Sequence, residues 1–156
     1  MVGLFISIVI FNLIALKIKK QLTRSQMLQI WLFSSFLQIL FDVFVDVKYQ
    51  GYWYFSKDID WQALFVYLFI VPTVNIIFLN KFPFQTKRVK QVFYIFTFNV
   101  FILIYELVVL LPEPWGYFHY GWWNIGYSAI LNPFLVLILL GFFKIVCRLE
   151  EQSITS

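Results

Sequence analysis

The sequence predicts an all-α integral membrane bundle of five transmembrane helices, N-terminus outside and C-terminus cytoplasmic. Three observations predict it. First, hydrophobic residues make up 62% of the 156 positions and charged residues 13%, with a mean hydropathy of +0.81. Soluble domains carry about 45–50% apolar and about 25% charged residues. A domain this small leaves about 30% of its unfolded-chain surface in water, so one core could not hide so much apolar surface. Second, the apolar residues gather into five stretches close to the roughly 17–25 residues that a spanning helix needs. Third, ten of the twelve basic residues sit on alternate connections. The composition excludes a soluble enzyme, a disordered tail and a nucleic-acid module.

The first stretch, residues 2–18, is short but usable if Lys17, Lys19 and Lys20 snorkel to the interface. It is apolar from its start and basic at its end, the reverse of a cleavable signal. It is therefore expected to be a retained span. The second stretch is residues 27–47, the third 61–79 and the fourth 92–111. Pro112 and Pro114 end the fourth, because proline lacks an N–H and disfavours helix before it. The fifth is residues 123–146. Residues 1–149 thus read as a single five-helix transmembrane domain, and 150–156 as a short polar cytoplasmic tail expected to fray. No connection is long enough for another domain. There is no GxxxG and there are only three alanines, so the helices are expected to pack through large side chains.

Charge sets the orientation. Lys17, Lys19, Lys20 and Arg24 lie in the first connection, and Lys81, Lys87, Arg88 and Lys90 in the third. Lys144 and Arg148 lie at the C-terminal end. Lys and Arg favour the cytoplasmic side. Five spans put all three segments there, whereas four would divide them. The other two connections are aromatic: Tyr49, Tyr52, Trp53, Tyr54 and Phe55 in one, Trp115, Tyr117, Tyr120, Trp122 and Trp123 in the other. They are expected to lie in the outer headgroup layer, which suits half-wet rings.

One cysteine, Cys147, excludes an intrachain disulfide and a Cys-based zinc site. One histidine, His119, excludes a poly-His metal or haem site. The motifs of nucleotide binding, zinc hydrolysis, dithiol chemistry and serine hydrolysis are absent. No cofactor is expected.

Polar groups inside spans carry the functional expectation, because an ionisable group there is expensive. Asp42 and Asp46 lie four apart on the second span, which puts both on one face of an α-helix. Glu106 lies at similar depth on the fourth span, and Asn132 in the outer half of the fifth. With His119 in the neighbouring loop, these five form a candidate outward-facing polar or ion site. Carboxylates that close cannot all stay ionised, so one keeps a proton or a cation binds among them. Oxygen-rich groups suit protons or hard cations. The blander alternatives are an interfacial Asp46, an Asp42 hydrogen-bonded to Tyr, Trp or Gln for packing, and a snorkelling Glu106. Gln38, Asn75 and Asn99 form a deeper set, read either as interhelical hydrogen bonds or as an inner polar path. Pro72 should free a carbonyl one turn back, which a nearby side chain could satisfy.

The stretch FDVFVDVKYQGYWYFSKDIDW, followed by PTVNIIFLNKFPF, resembles a family of short multi-pass membrane proteins from spore-forming Firmicutes such as Bacillus and Clostridium. The matched region runs from about residue 41 to 84. The Asp-rich end of the second span and the Asn-containing run before Pro83 carry most of it. The family is uncharacterised, so the resemblance implies a bacterial plasma-membrane or spore-membrane location and supplies no catalytic residues.

Three function classes follow. The first is a small transport or channel component handling a proton or small cation. The second is a structural or accessory protein binding other membrane proteins or lipid. The third and least favoured is an intramembrane enzyme acting on lipid, with Asp42 or Glu106 as general acid/base. The expected partners are the lipid bilayer, a second copy or another membrane protein, and the proton or cation. Nucleic acid is not expected.

Overall fold

A computed structural model describes residues 1–57 and 60–155. Five helices carry the fold. They are α1 (Val2–Lys17), α2 (Arg24–Lys48), α3 (Ala63–Lys81), α4 (Arg88–Val109) and α5 (Ile125–Thr155). The last four are long and apolar enough to cross a membrane. With 16 residues, α1 is shorter. At about 1.5 Å per residue it spans about 24 Å, against a hydrocarbon core of about 30 Å.

The helices alternate in direction, so the molecule has a basic end and an aromatic end. Lys17, Arg24, Lys81 and Arg88 mark the first as helix termini. At the basic end Thr23 caps α2 with Gln26 in a reciprocal capping box. Asn80 clips the α1–α2 connection, accepting from the backbone N–H groups of Gln21 (2.7 Å) and Leu22 (3.2 Å). The start of α1 is held at the other end, where the Gly3 N–H donates to the Pro114 carbonyl at 3.1 Å. A Cβ on Gly3 would run into the Trp115 carbonyl oxygen, so only glycine permits that approach. At the aromatic end two short strands, β1 (Tyr52–Trp53) and β2 (His119–Tyr120), pair antiparallel with Tyr52 opposite Tyr120.

Helix α3 packs on both α1 and α2, and α5 on both α2 and α4. The α2–α3 contact uses Ser34 and Ser35, both buried, rather than only the large side chains expected. Serine supplies there the small surface that Gly or Ala usually gives. Two apolar clusters fill the bundle. Leu4, Phe11, Val66 and Ile70 lie in the one toward the aromatic end. Ile30, Phe78, Leu79, Leu139 and Phe143 lie in the one toward the basic end. Phe93, Phe96, Phe101 and Leu107 of α4 point outward, as lipid-facing residues do.

Both helix-interior prolines leave a carbonyl that a side chain from another helix satisfies. Pro72 frees Leu68, and the Trp31 Nε1–H donates to that carbonyl at 2.8 Å. The flanking carbonyls take Ser35 Oγ (3.0 Å, on Tyr67) and Asn12 Nδ2 (3.4 Å, on Phe69). These lie in a wider π-helical turn, Val66–Ile70, just before the proline. Pro133 likewise frees Ala129, whose carbonyl accepts from Asn99 Nδ2 at 3.1 Å. Helix α5 continues into the expected tail as far as Thr155, while Ser156 lies outside the described residues.

Candidate functional site

Helices α2, α3, α4 and α5 do not close completely on one another. Between them lies a cavity of about 190 Å³, lined by Phe33, Gln38, Asn75, Asn99, Tyr105 and Asn132 among others. A second lobe of about 180 Å³ continues toward the aromatic end. It shares Gln38, Tyr105 and Asn132 with the first and adds Glu106, Tyr52 and Trp123. All the walls come from one chain. Most are apolar, as binding compartments usually are. Among the described residues, Glu106 is the single carboxylate lining either lobe, and no Lys, Arg or His lines them.

Asn99 and Asn132 line this space, and each keeps one unpaired polar atom buried within the wall. Asn99 is 9% exposed and spends its Nδ2 on the Ala129 carbonyl, so its buried Oδ1 has no partner. Asn132, directly before Pro133, has a buried Nδ2 with no partner. An unpaired buried polar atom costs about 1–3 kcal/mol. Asn75 is spent on structure, its Nδ2 donating to Ser34 Oγ at 2.9 Å across the α2–α3 contact.

Two carboxylates, buried Asp42 and half-buried Glu106, hang from the paired strands. Asp42, 2% exposed, accepts from the Tyr52 hydroxyl and from Gln38 Nε2 (2.9 Å) on the same oxygen. Its other oxygen is buried and unpaired. Glu106 accepts from the Tyr120 hydroxyl and Ser128 Oγ, both at 2.5 Å and both on Oε1. Ser128 Oγ in turn accepts from Trp123 Nε1 at 2.9 Å. Tyr52 and Tyr120 stand opposite one another, so they leave the ribbon on the same face. One ribbon therefore ties a carboxylate of α2 and a carboxylate of α4 to a common support. The Tyr105 and Tyr117 hydroxyls, 2.5 Å apart, make a third link between α4 and the loop after it.

Burial pushes the phenols of Tyr52 and Tyr54 well above the ordinary tyrosine range, and the neighbouring Asp42 charge adds to the effect. Tyr117 is raised by burial and then by Tyr105, and Tyr120 by burial and then by its bond to Glu106. Their hydroxyls remain donors at any physiological pH. Tyr52, Tyr54 and Tyr117 are buried against the bundle, whereas Tyr49, Trp61, Trp115 and Trp122 are exposed.

The expected five-residue site is thus divided. Glu106 and Asn132 line the cavity; Asp42 stands behind it, reached through Gln38. Asp46 is only half-buried and lines neither lobe. The backbone widens to π-helical turns over Val43–Lys48, in which a four-residue spacing still keeps two side chains near one face, but Asp42 is buried and Asp46 only half-buried. His119 lies one position from Tyr120 on β2, so it points to the opposite face of the ribbon, where it stacks on Trp53 with centroids 6.0 Å apart. Among the described residues no three His, Cys, Asp or Glu side chains gather as a metal set. Gln38, Asn75 and Asn99 all line the inner lobe. They do not continue to the basic end, where Phe33 and Phe142 stack at 3.9 Å and Leu139 closes the floor. The alternative of a Tyr or Gln partner for Asp42 matches the bonds from Tyr52 and Gln38, whereas the partners of Glu106, Tyr120 and Ser128, were not foreseen. The available signal was that each carboxylate precedes an aromatic loop on its own helix.

Fold and cavity together define a helical bundle with four helices long and apolar enough to cross a membrane and an internal, mostly apolar cavity. No family model, curated protein or solved structure matches the chain.

Proposed function

We propose that the chain is a small transport component of the cell membrane, taking a proton or small cation into the compartment between α2, α3, α4 and α5. It crosses the membrane five times, aromatic end outside and basic end cytoplasmic. Ten basic residues at the basic end support that orientation. The short α1 reaches both interfaces if Lys17 snorkels. Scarce alanine beside twenty phenylalanines suits an AT-rich bacterial genome, which supports a bacterial plasma membrane as the location.

The observation that carries this reading is the lining of the cavity. One carboxylate, Glu106, lines it without a basic partner, and Asn99 and Asn132, each with one buried polar atom unpaired, belong to the same wall. A bundle selected for packing alone would have replaced these groups with apolar ones, at lower free energy. The apolar floor at the basic end supports a one-sided compartment that opens by rearrangement rather than a standing pore.

The test is flux in proteoliposomes. Proton or small-cation movement should be carried by the intact chain and lost in Glu106→Gln and Asp42→Asn. An accessory role predicts no flux from either protein, with the variants changing only folding or complex formation. A lipid-acting enzyme predicts lipid turnover that the variants abolish, without flux. Flux equal in the intact chain and in the double variant overturns the role given to these carboxylates.

A further inference from the structure

The compartment's chemistry is narrower than a general cation site. We infer that it takes a small monovalent organic cation with a hydrophobic body, an alkyl- or arylammonium. This rests on the reading of the cavity as a binding compartment and names its ligand.

Charge gives the first step. Among the described residues Glu106 is the only formally charged side chain on either lobe. Its two hydrogen bonds converge on Oε1. Two neutral hydroxyls do not balance a carboxylate in an apolar space, and no lysine or arginine is present to do so. A cationic ligand would supply the matching positive charge.

The walls give the second step. A hard metal ion asks for six or so oxygen ligands, and magnesium holds its waters tightly. The cavity offers one carboxylate and a few amide oxygens, and the described residues contain no cluster of three acidic, His or Cys groups. Its remaining surface is largely aromatic and aliphatic, with Phe33, Phe41, Phe98, Tyr105 and Trp123 contributing rings. Aromatic faces attract ammonium groups, and more strongly once water is excluded. A cation with a hydrocarbon body uses the whole lining, whereas a hydrated ion uses only the outer tip.

The probes are phenyltrimethylammonium and tert-butylbenzene, which share a shape and differ by one charge. Binding of each to the full-length chain in detergent is measured by equilibrium dialysis. Ile102→Trp, which fills a position common to both lobes, supplies the non-specific background. The cation should bind at least about tenfold tighter than its neutral twin. Glu106→Gln should remove that advantage and leave tert-butylbenzene binding unchanged. Asp46→Asn, away from the lining, should change neither. The comparison within the unaltered chain stands even where a variant fails to fold. Equal binding of both probes overturns the inference while leaving the compartment in place. Displacement of the ammonium by rubidium at equal concentration shows an inorganic-cation site and also overturns it. Binding of neither probe above the Ile102→Trp background removes both the inference and the compartment.

Discussion

Tyr52→Phe isolates the bond that ties Asp42 to the outer ribbon. The ring has its own neighbours, Phe118 at 5.0 Å, Trp123 at 5.6 Å and Tyr54 at 6.1 Å between centroids, and phenylalanine keeps them. Only the hydroxyl is lost. Asp42 is 2% exposed, so water cannot replace the missing donor. A hydrogen bond to a charged group is worth about 1.5–3 kcal/mol, and that is the expected loss of stability. The matching change at the other carboxylate is Tyr120→Phe. Glu106 is half-buried and retains Ser128 Oγ, so the loss there should be smaller, about 0.5–1.5 kcal/mol. Unfolding in mixed micelles, followed by tryptophan fluorescence, gives both values. A double-mutant cycle with Asp42→Asn separates the pairwise bond from other effects of removing the hydroxyl. A Tyr52→Phe protein within about 0.5 kcal/mol of the parent, or a cycle with no coupling, would refute the tether.

Three other outcomes are expected. Trp31→Phe should cost about 1–3 kcal/mol, because it strands the Leu68 carbonyl that Pro72 leaves free; the cost should shrink in a Pro72→Ala background, where the helix can supply its own N–H. Stability should fall as pH rises above about 10, since the unfolded chain ionises its tyrosines there while Tyr52, Tyr54 and Tyr117 are held protonated by burial. The sign follows from folded-state values raised above the unfolded one: the contribution is complete below the unfolded value and is lost going upward. Tyrosinate absorbance recorded alongside unfolding checks it, and stability flat to high pH contradicts it. Finally, a cysteine in place of the exposed Trp122, with Cys147→Ser, should react with an impermeant maleimide on intact cells; reaction only after lysis reverses the orientation.

The helices were legible because their signal is local. Residues 27–47 and 61–79 read as spans, and the structure gives Arg24–Lys48 and Ala63–Lys81. Pro72 announced a freed carbonyl, and Trp31 supplies its donor. What sequence spacing could not give was partnership between distant residues. Tyr52 and Asp42 lie ten positions apart, but joining them requires the chain to reverse at the end of α2. Tyr52 meets Tyr120 through a pairing of two-residue strands, too short to leave an alternating pattern in the sequence. Asp46 follows Asp42 by four positions toward the aromatic end, and the change from buried Asp42 to half-buried Asp46 along that turn is not visible in the spacing. The Asn99 link to Ala129 follows the same logic as Pro72, but reading it needed α4 and α5 to be neighbours.

The two prolines also explain why a space remains in so aromatic a bundle. Pro133 lines the inner lobe and removes one backbone bond from α5 at its own depth. Asn99 is drawn to the carbonyl so released, which takes up one half of its amide and leaves the other half buried and unpaired. Helix α3 is altered in the same way, its widened turn before Pro72 satisfied by Trp31, Ser35 and Asn12 from two neighbours. Those side chains hold α3 from the outside of the cavity, since none of the three lines its inner lobe except through adjacent Ser34. Asn12, Trp31 and Ser35 therefore brace the α3 wall from outside, while Gln38, Asn99 and Asn132 belong to the cavity wall itself. Under the proposed function the first set serves fold stability and the second the compartment. It follows that Trp31 and Asn99, both partners of proline-freed carbonyls, should separate on substitution, the first lowering stability and the second also changing what the compartment binds.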